Sequence, residues 1–354
     1  MAVVTSNDLI LQAARGRRTG RTPVWLMRQA GRFDPAYRAL KEKCGLPLEE
    51  MFQSPQLAAE ITFLPERLGV DALILFQDIL TPTAPMGAPF IFRPGPVLNR
   101  PIRTRRDLQR LRDFEPADEL PFVAESIRLV QRDLAGRLPL LGFAGSPLTV
   151  AAFLIEGSSP GGRLTHTRVL MDRDPDLLHA LLARLAAITA SYLRMQIDAG
   201  VNAVQLFESI GDLLTESEYR TFAHPYHATV FQRLRGSVPL ILFVKEQPLT
   251  ELMIESGADV LSVGTCVDLA AARQQHGDRV ALQGNVDNRL LAEGSHAEIE
   301  AAVKACIRAG GHRGHILNLN HGLLKDTPFD NVCRLIDTCK AVRIDDQISS
   351  GQGA

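Results

Sequence analysis

The stretch that decides the fold of this chain is PVWLMRQAGRF, residues 23–33. It begins with four apolar residues in succession (24–27) and turns polar abruptly at Arg28, Gln29 and Arg32. An apolar run without polar alternation is typical of a parallel strand that is buried on both faces. The stretch therefore predicts a buried strand that carries arginines at the end where it leaves the sheet.

Seven further apolar runs of similar length follow, separated by longer stretches with the apolar spacing of helices. One such helical stretch spans residues 174–200, and another, 295–310, opens with Ser295 and Glu298 as a capping box. Eight buried strands that alternate with helices predict an α/β protein folded as a single (β/α)8 TIM barrel. The predicted strands are residues 23–27, 71–76, 138–143, 202–207, 239–244, 259–263, 279–283 and 314–319.

One barrel domain is predicted over residues 1–344, with one irregular excursion and a tail. Residues 81–101 contain six prolines, which exclude a regular helix or a central strand, so we expect an extended or hairpin excursion over the barrel mouth. Residues 156–163, EGSSPGGR, suit a lid and a plain linker equally well. The polar tail, residues 345–354, is expected to be disordered.

Charge and cysteine content narrow the class of protein. The formal net charge of −1 over 354 residues predicts no general attraction to nucleic acid or to a membrane surface. No apolar run looks long enough to span a bilayer, and the first residues lack the apolar core of a signal peptide. The five cysteines have no paired spacing. These features predict a soluble protein of the reducing cytoplasm.

Polar side chains stand directly after most of the predicted strands, where the catalytic groups of a (β/α)8 barrel lie. Singly they have ordinary explanations, since Asp78 or Ser209 could cap a helix and His321 could be a core histidine. Together they predict one polar pocket, and arginines close to a carboxylate suit a small polyanionic substrate. The residues are Arg28, Gln29, Arg32, Asp78, Ser146, Glu208, Ser209, Lys245, Asn285, Asp287 and His321.

Several common chemistries lack the residues that they need. No nucleophile elbow marks a serine hydrolase, and no glycine-rich loop follows a strand to hold a phosphate or a dinucleotide. No strand end carries the His-x-Cys pair of a zinc site, so no metal is expected. The segment 15–43 has nine basic and two acidic residues, which indicates a solvated helix face, an anion-binding surface, or both.

The opening stretch, with five further blocks in the same order, resembles the uroporphyrinogen decarboxylase family. The family implies a single (β/α)8 barrel, a homodimer with facing clefts, and a cofactor-free enzyme of haem and related tetrapyrrole synthesis. Its reaction removes the four acetate carboxyls of uroporphyrinogen III to give coproporphyrinogen III and carbon dioxide. The further blocks are FQDIL (76–80), GFAGSPLTVAAFLIEG (142–157), QLFES (205–209), LQGNVD (282–287) and LNLNHG (317–322).

The resemblance assigns roles residue by residue. Arg28 and Arg32 match positions that bind substrate carboxylates, and Asp78 matches the carboxylate that accepts the pyrrole N–H groups. A pyrrole protonated beside its acetate becomes an electron sink, and Asp78 would stabilise its positive charge. Either a desolvated Arg28 or a bound water could deliver protons. The predicted catalytic residues are Asp78 and Arg28, and the predicted substrate-binding residues are Arg28, Gln29, Ala30, Arg32, Asp78, Phe153, Ser209 and His321.

The chain departs from the family pattern at four places. Phe153 stands where the family usually has tyrosine, and FVKE (243–246) replaces a glycine-containing run. SVGTC (262–266) lacks the usual Asp-Trp pair, and Asn320 stands where glycine is usual. The departures leave two alternatives open. One is a zinc-dependent methyltransferase of the same superfamily, for which Cys266 would be the candidate ligand, and the other is a porphyrinogen-binding protein without catalysis.

Overall fold

The computed structural model describes residues 5–93 and 95–343 of the chain. The predicted disordered tail, residues 345–354, lies outside the described residues. The strands are β1 (Leu73–Ile74), β2 (Ile91–Phe92), β3 (Pro96–Val97), β4 (Leu140–Gly145), β5 (Ala203–Glu208), β6 (Leu240–Val244), β7 (Val260–Ser262), β8 (Ala281–Gln283) and β9 (His315–Ile316). Seven of them form a parallel sheet in the order β1-β4-β5-β6-β7-β8-β9, while β2 and β3 form an antiparallel hairpin.

Helices connect the strands of the sheet in the alternation that the sequence predicts. Short 3-10 turns span Leu64–Leu68, Thr81–Thr83 and Gly211–Leu213, and a π-turn spans Tyr219–Ala223. The helices are α1 (Leu9–Ala14), α2 (Pro35–Cys44), α3 (Leu48–Gln53), α4 (Pro55–Phe63), α5 (Arg105–Arg110), α6 (Pro116–Glu119), α7 (Pro121–Leu134), α8 (Pro147–Glu156), α9 (Thr165–Arg173), α10 (Pro175–Ala199), α11 (Glu216–Glu218), α12 (His224–Leu234), α13 (Thr250–Glu255), α14 (Leu269–His276), α15 (Asn288–Glu293), α16 (His296–Gly310) and α17 (Phe329–Ala341).

The first predicted strand, residues 23–27, closes the sheet into a barrel, although it is not a regular strand. The amide of Leu317 donates to the carbonyl of Pro23 over 2.9 Å, and the amide of Asp71 donates to the carbonyl of Val24 over 2.7 Å. Val24 also forms a parallel bridge with Leu317. The segment therefore lies between β9 and β1 as the eighth strand, and the predicted TIM barrel is confirmed.

Side-chain acceptors explain why this eighth strand is irregular. The amide of Val24 donates to the carboxylate of Asp71 over 2.8 Å, and the amide of Met27 donates to the side-chain oxygen of Asn318 over 3.1 Å. These amides are satisfied by side chains and do not extend a backbone ladder. Asp71 also binds Arg21 through both terminal guanidinium nitrogens, so one of the basic residues in the segment 15–43 has a structural role.

Trp25, the chain's single tryptophan, ties the eighth strand to the barrel interior. It is fully buried, and its indole N–H donates to Gln283 over 2.9 Å. The Gln283 amide donates in turn to Gln205 and Ser262, both over 2.9 Å. Because a buried polar group without a partner is unfavourable, this network favours a single register for the segment 23–27.

The predicted helix boundaries are confirmed where a cap signals them. Helix α10 begins after Asp174, whose side chain accepts the amide of Leu177, and α16 begins after Ser295 with the predicted capping box to Glu298. Strand boundaries are less regular, since the prediction 314–319 reduces to the two residues of β9.

The proline-rich segment 81–101, expected to be extended or a hairpin, contains a short antiparallel hairpin. The β2–β3 hairpin lies within it, and the chain after the hairpin attaches to the end of α8: the amide of Leu98 donates to the carbonyl of Gly157 over 2.7 Å, and the amide of Ile102 donates to that of Leu154 over 2.9 Å. A Cβ atom at Gly157 would lie 2.7 Å from the ring of Pro101, so this approach requires a glycine. The start of the loop 156–163 is thus anchored to the excursion.

Helix α10 corrects the expectation that no segment has the length of a membrane span. Among the described residues it is long and apolar enough, by length and composition alone, to cross a bilayer. However, 61% of its apolar window is buried inside the protein, and the helix packs against α7, α8, α12 and β4. These contacts are those of a core helix.

Candidate functional site

Arg28 leaves the eighth strand in a left-handed backbone conformation, with φ of 62°. A Cβ atom built at Gly322 would lie 2.7 Å from Cγ of Arg28, so the arginine side chain passes directly over that glycine. The side chain is nevertheless accessible to solvent. Desolvation by the surrounding protein lowers its pKa, while Asp78 raises it and Arg32 lowers it further. The arginine therefore stands at the barrel mouth within electrostatic reach of Asp78 and Arg32.

Asp78 follows β1 and is half-buried. Desolvation raises the pKa of its carboxyl to about 6, against the lowering effects of the Leu80 amide, which donates to it over 2.8 Å, and of Arg28. Behind it, Tyr192 of α10 is fully buried, and both burial and the charge of Asp78 raise the pKa of its hydroxyl. Within the described residues neither Asp78 nor Arg28 forms an ion pair shorter than 4 Å, although each shifts the pKa of the other.

His321 follows β9 and is half-buried, with its ring 5.8 Å from the ring of Phe243. Desolvation lowers the pKa of its imidazole to about 3, with further lowering by Arg28 and Lys245 and a smaller opposing effect of Glu246. The ring is consequently neutral near pH 7. It can donate one hydrogen bond and accept another, but it cannot supply a positive charge.

Ser209 is positioned by a buried network that the sequence did not reveal. Its amide donates to the hydroxyl of Thr149 over 2.8 Å, and that hydroxyl in turn donates to Glu208. Glu208 is completely buried, accepts the hydroxyl of Ser146 over 2.5 Å, and lies 3.1 Å from Nε2 of the buried His227. The network joins α8 and its N-cap Ser146 to β5 and α12, so it fixes the position of Ser209 after β5.

Phe153 and Gln29 lie in different surroundings from the charged residues. Phe153, on α8, is half-buried and packs edge-to-face on Phe90 of the excursion, with ring centroids 6.3 Å apart. The Gln29 side chain is fully buried: its oxygen accepts the amide of Leu26 and its nitrogen donates to the carbonyl of Ala72. The backbone of Gln29 is buried as well, and its amide donates to the carbonyl of Leu26 over 3.1 Å, so the residue holds the segment in place beneath the mouth.

Ala30 and Arg32 complete the predicted set. Ala30 is half-buried and packs against the small apolar cluster around Tyr37. Arg32 is exposed at the edge of a groove of about 580 Å³, which is also lined by Lys41 and Lys325. Arg28 lies close enough to both Asp78 and Arg32 for the charge of each to shift its pKa. The predicted roles of these residues stay predictions.

A second group of charges lies at the ends of β6, β7 and β9, and Glu246 is the residue there that sequence reasoning missed. Lys245 pairs with Asp212 over 2.7 Å. Burial would raise the pKa of the Glu246 carboxyl, but hydrogen bonds from the Cys266 amide, Asn320 and Thr265 outweigh it and hold the pKa low. The only signal in the sequence was the departure of residues 243–246 from the family pattern.

No metal chemistry is indicated by the side chains that the structure describes. Within residues 5–93 and 95–343 no three His, Cys, Asp or Glu side chains are grouped to hold a metal ion. Desolvation and the neighbouring Glu246 raise the pKa of the Cys266 thiol to about 11, which disfavours the thiolate that zinc binds. These observations do not favour the zinc-dependent alternative.

Comparison with known proteins gives one family. The family model described as Uroporphyrinogen decarboxylase (URO-D) matches residues 5–342. A relative named uroporphyrinogen decarboxylase from Trichlorobacter lovleyi is 39% identical, over 94% of this chain and 97% of the relative. One of the same name from Sorangium cellulosum is 41% identical, over 95% of this chain and 97% of the relative.

Solved structures that are similar to the chain support the barrel. A methyltransferase from Methanosarcina mazei superimposes with a TM-score of 0.76 and 21% identity, covering 95% of this chain and 98% of the other. A B12-independent methionine synthase from Shewanella sp. W3-18-1 superimposes with a TM-score of 0.57 and 13% identity, covering 96% of this chain and 98% of the other. At these identities the likeness concerns the fold alone.

Proposed function

The chain belongs to the uroporphyrinogen decarboxylase family, and from this premise we propose that it removes the four acetate carboxyls of uroporphyrinogen III. The products are coproporphyrinogen III and carbon dioxide, in haem or related tetrapyrrole synthesis. One observation carries the proposal: Arg28, exposed at the barrel mouth, and the half-buried Asp78 are opposite in charge and shift each other's pKa, yet among the described residues neither forms an ion pair. A ligand with carboxylates and N–H donors satisfies both groups at once.

The positive and negative side chains at the mouth bind different parts of the substrate. Arg28 and Arg32 bind the carboxylates of the substrate, for which the guanidinium fork is well suited. Asp78 accepts the pyrrole N–H groups through carboxylate lone pairs that remain beyond its bond to the Leu80 amide. Ala30 allows a close approach and the buried Gln29 holds this segment in place, while Phe153, Ser209 and His321 contact the rest of the ligand.

The reaction needs no cofactor because the pyrrole itself takes up the electrons. A proton adds to the ring carbon beside the acetate arm and makes the ring cationic. The bond between the methylene carbon and the carboxylate breaks, its electrons return to the ring, and carbon dioxide leaves. A second proton adds to the methylene carbon and a ring proton is lost, so each acetate becomes a methyl with the net uptake of one proton. Asp78 stabilises the cationic stage by its fixed negative charge.

The proton donor is constrained by the pKa shifts at the mouth. His321, with a pKa of about 3, is neutral at pH 7 and serves as a hydrogen-bonding group. Arg28 stands at the mouth beside Asp78, and desolvation lowers the pKa of its guanidinium. We assign proton delivery to Arg28, either directly or through a water that it binds.

The protein is further proposed to be a cytoplasmic homodimer that acts on a small molecule, without nucleic acid or membrane partners. The family resemblance supports the dimer, and the net charge of −1 supports the lack of a polyanionic partner. Light scattering during size-exclusion chromatography tests the dimer directly: a mass twice that of the 38.8 kDa chain is expected, and a monomer at working concentration contradicts it.

A turnover assay with uroporphyrinogen III under reducing conditions tests the function. Release of carbon dioxide and appearance of coproporphyrinogen are expected from the purified protein without added metal or cofactor. Tight binding of uroporphyrinogen with no release of carbon dioxide would instead favour the porphyrinogen-binding alternative. Loss of activity after chelation, restored by zinc, would favour the metal-dependent one.

A further inference from the structure

Three strand ends on one side of the mouth are joined by a single carboxylate, that of Glu246. It follows β6 and accepts the backbone amides of Thr265 and Cys266 over 3.1 and 2.9 Å, which belong to the segment after β7. It also accepts the side-chain amide of Asn320, after β9, over 2.9 Å. Glu246 itself has a φ of 42°, in the left-handed region that favours glycine.

The carboxylate of Glu246 occupies the space where a side chain at position 264 would begin. A Cβ atom built at Gly264 would lie 2.6 Å from Cδ and from one carboxylate oxygen of Glu246. A residue larger than glycine at this position therefore excludes the Glu246 carboxylate from its present place. Glu246 and Gly264 are consequently a matched pair, in which one position supplies the carboxylate and the other makes room for it.

Asn320 contacts the carboxylate of this matched pair and directly precedes His321, a predicted substrate-binding residue. Its amide nitrogen donates to Glu246, and its amide oxygen accepts the backbone amide of Asn288 over 2.9 Å. The residue is thereby clamped from both sides immediately before His321. The three positions, 246, 264 and 320, fall in three of the places where the sequence departs from the family pattern, and in space they form one cluster.

We propose that Glu246 is a positioning residue that fixes Asn320 and thereby the direction of His321 toward the substrate. The carboxylate acts through Asn320 and does not itself contact the reacting atoms. Its charge is required because two backbone amides, a hydroxyl and a side-chain amide all donate to it. This inference rests on the proposed decarboxylase function only insofar as His321 contacts the tetrapyrrole.

The matched pair allows a relocation test with four variants: Glu246→Gln, Glu246→Gly, Gly264→Asp and the double variant Glu246→Gly/Gly264→Asp. An aspartate at 264 starts in the space of the Glu246 carboxylate and can accept the Cys266 amide as an Asx-turn. Either single change at 246 should lower kcat roughly ten- to a hundredfold, because a displaced binding group misaligns the substrate. Gly264→Asp alone should also be impaired, since two carboxylates then compete for one space.

The double variant tests whether a carboxylate at this place is what kcat requires, whichever of the two positions supplies it. We expect Gly264→Asp, harmful in the parent, to restore kcat in the Glu246→Gly background to within a few-fold of the parent. Glu251→Gln is the matched control, because Glu251 lies on the exposed side of α13 and pairs with Arg279 away from the mouth. It should leave kcat unchanged.

A second readout separates a positioning role from a purely structural one. NMR of 13C-labelled histidines, with the His321 signal assigned by His321→Gln, should show a shifted His321 resonance in Glu246→Gly that returns in the double variant. If the His321 resonance and kcat per folded molecule are unchanged in Glu246→Gly, while only the melting temperature falls, the inference is overturned. An inactive parent with the expected His321 shifts would refute the decarboxylase proposal alone.

Discussion

The barrel mouth has two charged regions, and they differ in whether the charges are paired. In the Arg28–Asp78 region, desolvation favours the neutral form of each group. It lowers the pKa of Arg28 and raises the pKa of Asp78 to about 6. In the Lys245–Glu246 region, Lys245 pairs with Asp212, and hydrogen bonds outweigh burial to lower the pKa of Glu246. Among the described residues, the two charges of the first region form no ion pair, and Asp78 accepts only the Leu80 amide, whereas the charges of the second region have an ion-pair partner or several donors.

This difference separates the part of the mouth that awaits a ligand from the part that shapes it. Desolvated charges without partners are unfavourable in the free protein, and they are typical of functional sites. Charges with several donors instead stabilise a local structure. Substitution in the Arg28–Asp78 region should therefore reduce activity without reducing stability, whereas substitution in the Lys245–Glu246 region should disturb the arrangement of the mouth.

The largest effect is expected from Asp78→Asn, which keeps the shape of the side chain and removes its charge. Turnover of uroporphyrinogen should fall by roughly two to three orders of magnitude, because the fixed charge that stabilises the cationic pyrrole is lost. Urea unfolding at neutral pH should show a gain in stability of ~1–3 kcal/mol, since a carboxyl with a raised pKa is ionised at a cost to the folded state.

Asp212→Asn is the matched control from the other region. It breaks a partly exposed ion pair with Lys245, so stability should stay the same or fall by up to about 1 kcal/mol. A near-parental rate for Asp78→Asn, or a gain in stability for both variants, would contradict the contrast between the two regions.

Arg28→Lys is expected to have the next largest effect. Lysine keeps the positive charge and the left-handed backbone strain of this position, but it loses the planar fork that binds carboxylates bidentately. We expect kcat/KM to fall roughly ten- to a hundredfold, which corresponds to the loss of one or two charge-assisted hydrogen bonds. Arg32→Lys should act in the same direction, and the exposed Arg106→Lys on α5 is the control. If Arg28→Lys and Arg32→Lys both keep the kinetics of the parent, the two arginines do not bind the substrate carboxylates bidentately.

The pH dependence should identify Asp78 as the titrating group. Its folded pKa of about 6 exceeds the ordinary value of 3.8, so kcat/KM should fall about tenfold per pH unit below the folded pKa as the carboxylate is protonated. Asp78→Asn should lose this acidic limb. His321, with a pKa of about 3, should not contribute to it.

The ionisation of Asp78 should also make stability depend on pH, in the direction opposite to that of activity. Between about pH 4 and 6 the folded state holds more protons at Asp78 than the unfolded state, so this group lowers the parent's stability as the pH rises through that window. The stability difference between Asp78→Asn and the parent should grow with pH over the same range. A constant difference would show that the pKa of Asp78 is not raised.

The smallest effect is expected from Phe153→Tyr. The phenylalanine ring packs against Phe90 of the excursion and fills the position of the usual tyrosine, so only a hydroxyl is missing. A neutral hydrogen bond contributes about 0.5–1.5 kcal/mol, which limits the gain in rate to roughly tenfold. We expect an active parent and a modest gain or none. An inactive parent restored strongly by Phe153→Tyr would show that the hydroxyl is essential.

The sequence by itself determined the barrel, the family and the positions of the charged residues. The barrel follows from apolar runs that are buried on both faces, since that pattern depends only on local composition and spacing. The family follows from the long opening motif, and its prediction is confirmed by the match over residues 5–342. Helix boundaries at Asp174 and Ser295 could also be predicted, because a cap acts on amides within three residues.

Only the tertiary structure decided which charges are paired. Glu246 and Gly264 are 18 positions apart in sequence, and Glu246 and Asn320 are 74 apart, yet they meet at neighbouring strand ends. The buried Glu208–His227 contact and the raised pKa of Asp78 arise in the same way, from groups brought together and removed from water by packing. Desolvation and pairing depend on distances in space, and residue types along the chain do not specify those distances until the barrel has closed.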